Sequence, residues 1–364
     1  MNPGLVIKLR PSGPWRIGPD SGARNEVDAI YHSDSLYSAV TSAMARLGSL
    51  EDWLAATAQS SAPAVAFSSC FPFLDEIGFV VPPRTAWPPS SPALLSARVR
   101  WKSARFVPLG IIEGLLAGHV LDERQWSIDG VSACLVPAGK AGPFRNGVRF
   151  HAAVDRLTGA TDRHSIGCVE FHPGAGLWAI ASFADEAARD RWLEPLKTAF
   201  RLLADSGFGG GRSRGWGRTE TPDFTEGTLP EMLLPPRPAV PSEPQAEPDT
   251  SSPDSRIPDS EPIPQSPAPN PLSPQWLLSL FVPGPHDSID WSRGSYTLHT
   301  RAGRVESAEG TGELKKQIQM VTEGSVLYGS SALQGSAPDV APDGFAHPVY
   351  RAGFALSIPL PEVS

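Results

Sequence analysis

The stretch whose residue types and spacing carry the most chemistry is Gly207-Phe208-Gly209-Gly210-Gly211-Arg212-Ser213-Arg214-Gly215-Trp216-Gly217-Arg218. Six glycines in eleven positions permit backbone conformations that other residues avoid and let a ligand come close to the main chain. Exposed N–H groups in such a loop hold phosphate oxygens. The guanidinium forks of Arg212, Arg214 and Arg218 suit the same oxygens, and the Trp216 ring can stack on a base. A nucleotide P-loop would need G-x-x-x-x-G-K-[ST] between a strand and the helix that follows it. The aligned positions are Ser206, Gly211, Arg212 and Ser213, which lack the first glycine and the lysine. The loop also leads into a strand candidate, so no helix N-terminus faces a phosphate. The P-loop is rejected, and a glycine loop without a ligand stands as the plain alternative.

Two further segments are basic. Arg98 to Arg105 carries four cations, one aromatic and no acid, and Lys140 to Arg163 carries Lys140, Arg145, Arg149, Arg156 and Arg163 against Asp155 and Asp162. Either suits an RNA-facing strip, because phosphate contacts need clustered cations; either also suits a solvated edge strand protected by charge. Catalytic constellations are thin. His32 sits beside Tyr31, Ser33 and Asp34, where a histidine general base for RNA cleavage can be imagined; a helix-terminal histidine bonded to nearby backbone is the plainer reading. Asp34 and Asp155 read as cap or turn residues rather than acids of a ribonuclease. The remaining histidines lack metal-ligand spacing, so no metal or cofactor is expected.

The elements that position these residues can be read from periodicity. Leu5, Ile7 and Leu9 alternate with Val6, Lys8 and Arg10, a strand. A helix is expected from Ser33 or Asp34, either serving as cap, with Tyr37, Val40, Met44 and Leu47 as its apolar stripe and Gly48 as its end. A strand at 177–183 precedes a helix at about 185–204, where Leu193, Leu196, Phe200 and Leu203 form the buried face and Pro195 would bend or break it. A last strand is expected at 216–221. Strand–helix early and strand–helix–strand late suits a ferredoxin-like βαββαβ unit with a large insertion. Beyond it, strands are expected at 276–282, 295–300, 316–321 and 349–358.

Between Pro230 and Pro274 there are 15 prolines in 45 residues, mixed with Ser, Asp, Glu and Ala; such a segment reads as an extended, disordered linker. Residues 1–227 carry 23 basic and 23 acidic side chains, 228–274 carry 2 against 7, and 275–364 carry 6 against 9. The net charge of −8 therefore sits mainly in the linker, and an RNA site must be a local basic patch. Three cysteines with no CxxC pair (Cys70, Cys134, Cys168), no apolar run of membrane-spanning length, and an N-terminus without a signal peptide's order of regions point to a cytoplasmic protein with no membrane partner.

The glycine-rich loop after the last helix resembles that of CRISPR repeat-associated (RAMP) RNA-binding proteins. "YHSDSLYSAV" (31–40), "SSCFPF" (68–73), "VVPPR" (80–84), "VDRLTGAT" (154–161), "EGSVLYG" (323–329) and "HPVYRAGFAL" (347–356) are similar to segments of the type III-A (Csm) subunit four family. Ser35 and Tyr37 replace that family's usual Thr and Phe, and the acidic linker is unusual for it. The resemblance implies an α+β fold of two ferredoxin-like (RRM-like) modules: residues 1–227 with an inserted β-hairpin thumb at about 84–175, a linker at 228–274, and a smaller α+β module at 275–364. It implies a non-catalytic subunit that clamps the 5′ tag of crRNA, seats the large polymerase-like subunit, contacts the first backbone RAMP subunit, and meets target RNA only indirectly. Matched by position, Gly209, Gly210, Gly211, Arg212, Ser213 and Arg214 would lie against the tag, His32, Ser33, Asp34 and Ser35 at the mouth of the same site, and Asp155 and Arg156 in the thumb. Trp216 and Arg218 of the loop and Arg149 of the basic segment join them as candidate RNA-binding residues on their own chemistry. The competing readings are a repeat-processing endoribonuclease using His32, and a repeating backbone subunit that cleaves target RNA through an Asp.

Overall fold

The computed structural model describes residues 2–18, 23–89, 98–234, 272–306, 311–329 and 333–361. Its first strand, β1 (Asn2–Leu9), buries Leu5, Ile7 and Leu9 completely, as alternation requires. Helix α1 (Ser33–Arg46) follows, burying Leu36, Tyr37, Val40, Ala43 and Met44 on one stripe. Neither Ser33 nor Asp34 is its cap: His32 holds that position without a side-chain cap bond, because Ser33 and Asp34 bond to the far end of the chain instead. A short helix α2 (Leu50–Ala56) and strands β2 (Val65–Phe67), β3 (Phe71–Leu74) and β4 (Ile77–Val80) come next.

The inserted stretch is more than a hairpin. It holds α3 (Arg98–Trp101), β5 (Val107–Pro108), α4 (Leu109–Leu116), β6 (Trp126–Ile128) and β7 (Leu135–Pro137), whose Trp101, Phe106, Ile112 and Leu135 are buried. Only then comes the long hairpin, β8 (Phe144–Val154) paired through all eleven positions with β9 (Thr161–Phe171). Strand β10 (Ala175–Phe183) leads to α5 (Glu186–Ser206) and β11 (Asp223–Leu229). Helix α5 is capped by Asp185, whose Oδ1 accepts from the Ala188 N–H at 2.7 Å, and runs unbroken through Pro195. The last strand of this part lies at 223–229 rather than at the expected 216–221, because the glycine turn persists through Gly217 (φ 75°). Thr219 makes only an isolated bridge to Pro11.

The main sheet has the order β11-β1-β10-β3-β4-β5, with β2 also on β10, and these pairings are antiparallel. Central strand β10 is buried on both faces. Leu177, Ala179, Ala181 and Phe183 face α1 and α5, while Trp178 and Ile180 face the other way, onto Phe71, Phe79, Trp276, Leu278 and Ile358.

The C-terminal part contains β12 (Ser273–Leu277), β13 (Ile289–Ser295), β14 (Leu298–Arg301), β15 (Arg304–Glu306), β16 (Thr311–Leu314), β17 (Ile318–Val321), β18 (Val326–Gly329), β19 (Gly335–Ser336), β20 (Gly353–Phe354) and β21 (Ser357–Pro359). Its main sheet runs β13-β18-β12-β21. Among its described residues there is no helix, so the α+β expectation for this part fails. Gly and Pro recur through it, and both are poor helix formers. Its sheet covers the back face of the first sheet in place of helices of its own. The expected linker falls mostly on residues 235–271, outside the described residues; its edges are structured, since β11 reaches Leu229 and β12 begins at Ser273.

Candidate nucleic-acid interface

The start of α1 is held by two buried ionic groups. In the first, His32 Nδ1 lies 2.7 Å from Glu323 Oε1 and Nε2 lies 3.4 Å from Asp28 Oδ2. Ser69 Oγ donates to Glu323 and accepts the Ser33 N–H at 2.8 Å, and Arg105 closes onto Asp28 at 3.0 Å. Burial opposes a charged imidazole, but Glu323 and Asp28 outweigh it and raise His32 to about 9. The imidazole is thus a cation between two carboxylates, while Asp28 is held well below the usual carboxylate range despite its burial.

In the second group, Asp34 accepts from Arg301 Nε and Nη2, each at 3.0 Å, and from Arg351 Nη1. Arg301 also reaches Ser35 Oγ at 3.1 Å, and Arg351 Nη2 donates to the Ala302 carbonyl at 2.9 Å. Burial disfavours the Asp34 carboxylate, but the two guanidinium groups overcome that and lower its pKa. The Ser33 hydroxyl accepts the Leu280 N–H at 3.0 Å. His32, Ser33, Asp34 and Ser35 thereby join the N-terminal and C-terminal parts of the chain.

The glycine loop owes its composition to its own packing. A Cβ at Gly207 would stand 2.4 Å from the Trp216 carbonyl oxygen, and one at Gly217 only 2.0 Å from that of Phe208; both have positive φ. Gly211 and Gly215, both left-handed, bracket a single 3₁₀ turn, Arg212–Arg214. That turn presents Arg212, Ser213 and Arg214 to solvent, and Arg218 is exposed at the loop's end. Trp216, expected to stack on a base, is instead buried at 7% exposure against Ile166 and Cys168. An indole between glycines gains more from apolar cover than from solvent.

A cavity of about 810 Å³ opens between α1, this loop and the C-terminal part. It brings together His32, Ser35, Gly209, Gly210 and Arg212 from the sequence reading. To these it adds Arg46, Arg301, Arg304, Lys315 and Arg351, and among the described residues lining it Asp34 is the only acid. A smaller cavity of about 340 Å³ adjoins it through Arg16 and Gly210 and is lined by Gly211, Arg214, Arg24 and His164. Arg16 staples this corner: its guanidinium donates to the carbonyls of Arg24 and Gly167, both at 2.8 Å, and of Ala23 at 3.0 Å, while its own carbonyl accepts the Gly210 N–H at 2.9 Å.

The two basic segments behave differently from a strip. In 98–105, Trp101 is core and Arg105 is paired with Asp28. Along the hairpin, cross-strand register puts Arg145, Arg149, His151 and His164 on one face and Arg163 on the other. Arg145 and Arg149 both pair with Glu170, and Arg163 lies 4.0 Å over the Phe150 ring. Arg156 is exposed at the tip, where Asp155 Oδ1 accepts the Leu157 N–H at 2.8 Å. Neither Arg149 nor Arg156 lines either cavity. The cations missed from sequence, Arg301 and Arg351, share one local signal, an Arg-Ala-Gly triplet at 301–303 and again at 351–353.

Residues 272–360 match the family described as CRISPR Csm4 C-terminal domain. No curated protein matches the chain by sequence. Among solved structures, the chain is similar over 98% of its length to 100% of a chain in the Csm3-Csm4 subcomplex of the type III-A CRISPR-Cas interference complex, at 15% identity and a TM-score of 0.59. It is also similar, over its full length and 99% of the other chain, to one in the Csm1-Csm4 cassette in complex with cA4, at 14% identity and a TM-score of 0.55. The fold is therefore one shared with chains of those type III-A CRISPR assemblies. More particularly, residues 272–360 are similar to the Csm4 C-terminal domain and the chain as a whole is similar in fold to the Csm4-containing structures.

Proposed function

We propose that this chain is a non-catalytic RNA-binding subunit of a type III-A complex. It clamps the 5′ tag of crRNA and joins a Csm1-like large subunit to a Csm3-like backbone, meeting target RNA only through them. The partners are suggested by the relatives, one in a Csm1-Csm4 cassette and one in a Csm3-Csm4 subcomplex. The observation that carries the RNA reading is the cation-lined cavity between the start of α1, the glycine loop and the C-terminal part. An open groove lined with several guanidinium groups suits a single strand's phosphates.

The order β11-β1-β10-β3, with α1 and α5 on one face, supports a ferredoxin-like first module. The β8–β9 hairpin, whose distal half is exposed, is its thumb. Cleavage by His32 finds no support in the site, since that imidazole is buried, protonated and engaged by Glu323 and Asp28; a general base needs a free lone pair.

The test is reconstitution of the complex with and without this chain, followed by nuclease probing of the guide RNA. Loss of 5′-tag protection and of the large subunit is expected on omission. A complex that keeps both without the chain refutes the proposal. The Arg212→Ala/Arg214→Ala double variant should bind tagged RNA more weakly while keeping its fold.

A further inference from the structure

Residues 12–16 form a bridge between the glycine loop and the root of the β8–β9 hairpin. On the loop side, the Ser12 N–H donates to the Arg218 carbonyl at 3.0 Å, the Gly217 N–H to that of Pro14 at 3.1 Å, and the Gly210 N–H to that of Arg16 at 2.9 Å. On the hairpin side, Trp15 and Val169 exchange N–H···O bonds of 2.9 and 2.7 Å. Arg16 spans both sides with one side chain. Its stem lies on the loop, where a Cβ at Gly210 would stand 3.0 Å from Arg16 Cδ. Its guanidinium donates at 2.8 Å to the Gly167 carbonyl on β9 and at the same distance to that of Arg24, which also accepts the Gly167 N–H at 2.9 Å. The approach is close enough that a Cβ at Gly167 would stand 2.6 Å from the Asn25 carbonyl oxygen. Trp216 adds an apolar contact between loop and hairpin, against Ile166 and Cys168. A lysine at position 16 brings one ammonium to this corner, not a planar fork able to meet two carbonyls at once.

We infer that Arg16 is a positioning residue that holds the glycine loop and the hairpin root as one body, so that Arg212 and Arg214 stand where the strand crosses. This rests on the RNA reading above and deepens it. Arg16 lines both cavities, the place of an RNA contact, but its guanidinium is turned onto carbonyl oxygens. It acts through the loop and not on a phosphate.

The test measures binding of the full chain to a single-stranded RNA carrying the host's 5′ tag over a salt series, together with melting temperature. Arg16→Lys and Arg16→Gln should each weaken binding severalfold and keep the wild-type salt slope. In the Arg212→Ala/Arg214→Ala background the same changes should have little further effect, because the groups that Arg16 positions are gone. Gly167→Ala, at a residue that lines neither cavity, should weaken binding in the same way, and it carries the test if the Arg16 variants do not fold.

A slope shallower by about 0.7 in log K per log salt in Arg16→Gln, the increment of one single-strand phosphate, with Arg16→Lys close to wild type, marks a direct contact and overturns the inference. A lower melting temperature with unchanged affinity, the mark of a purely structural residue, overturns it as well. So does full additivity with Arg212→Ala/Arg214→Ala. These outcomes leave the RNA reading standing as long as wild type binds the strand and Arg212→Ala/Arg214→Ala weakens it. Failure of wild type to bind at all refutes the RNA reading and this inference with it.

Discussion

His32 shows how a residue whose type suggests catalysis is turned to structure by its surroundings. Its cationic form is held between Glu323 and Asp28, so His32→Ala would leave two buried carboxylates without their shared partner. Breaking buried pairs of this kind costs about 3–5 kcal/mol, and urea unfolding of His32→Ala should show a loss of that order. An RNA-cleavage role would instead leave stability near wild type and remove only an activity. The pH dependence follows from the raised pKa. The stabilisation from His32 is complete below its ordinary value of 6.5 and is lost as pH rises through about 9. Wild-type stability should accordingly fall between those values relative to the His32→Ala variant; parallel profiles across the window would exclude a buried imidazolium.

At the scale of elements, the glycine loop and the hairpin lead to opposite expectations. In the loop, Gly217→Ala places a methyl on the Phe208 carbonyl at a positive φ, whereas Gly215→Ala meets nothing within 4 Å and suffers only the left-handed backbone. That backbone alone costs about 1–2 kcal/mol, so Gly215→Ala should lose about that much in thermal or denaturant unfolding and Gly217→Ala clearly more. Equal losses would mean that the loop is not packed against itself. Beyond His151, by contrast, the hairpin is exposed, with Val154 and Leu157 at 61% and 96%. Replacing residues 152–163 by a two-residue Asn-Gly turn should therefore leave the melting temperature within a few degrees of wild type.

At the scale of the whole molecule, the two parts of the chain share their cores. Trp276, Leu278 and Ile358 pack on Phe71 and Trp178, and Phe354 meets Tyr37 edge to face at 5.5 Å. The Trp276 Nε1 donates to the Val81 carbonyl at 3.2 Å, and the Asp34 and His32 groups bridge the same boundary. A shared core implies a single cooperative transition in calorimetry despite the proline-rich segment between the parts. Two resolved transitions would show the parts to be independent.

The sequence alone determined what depends on local order. Alternation at Leu5, Ile7 and Leu9 and the stripe from Tyr37 to Met44 fix β1 and α1, because pleat and helical turn impose their periods directly on buried residues. The motifs of the loop and of 31–40 carried the family resemblance for the same reason: short contiguous segments keep their identity without tertiary context. Only the tertiary structure decided what those segments touch. It set Trp216 inside rather than under a base, and made His32 a bridge rather than a base. It also brought Arg301 and Arg351, separated from Asp34 by 267 and 317 positions, onto one carboxylate. Contacts across such separations leave no spacing to read, and whether a cation binds a ligand or a neighbour depends on which carboxylates folding places beside it.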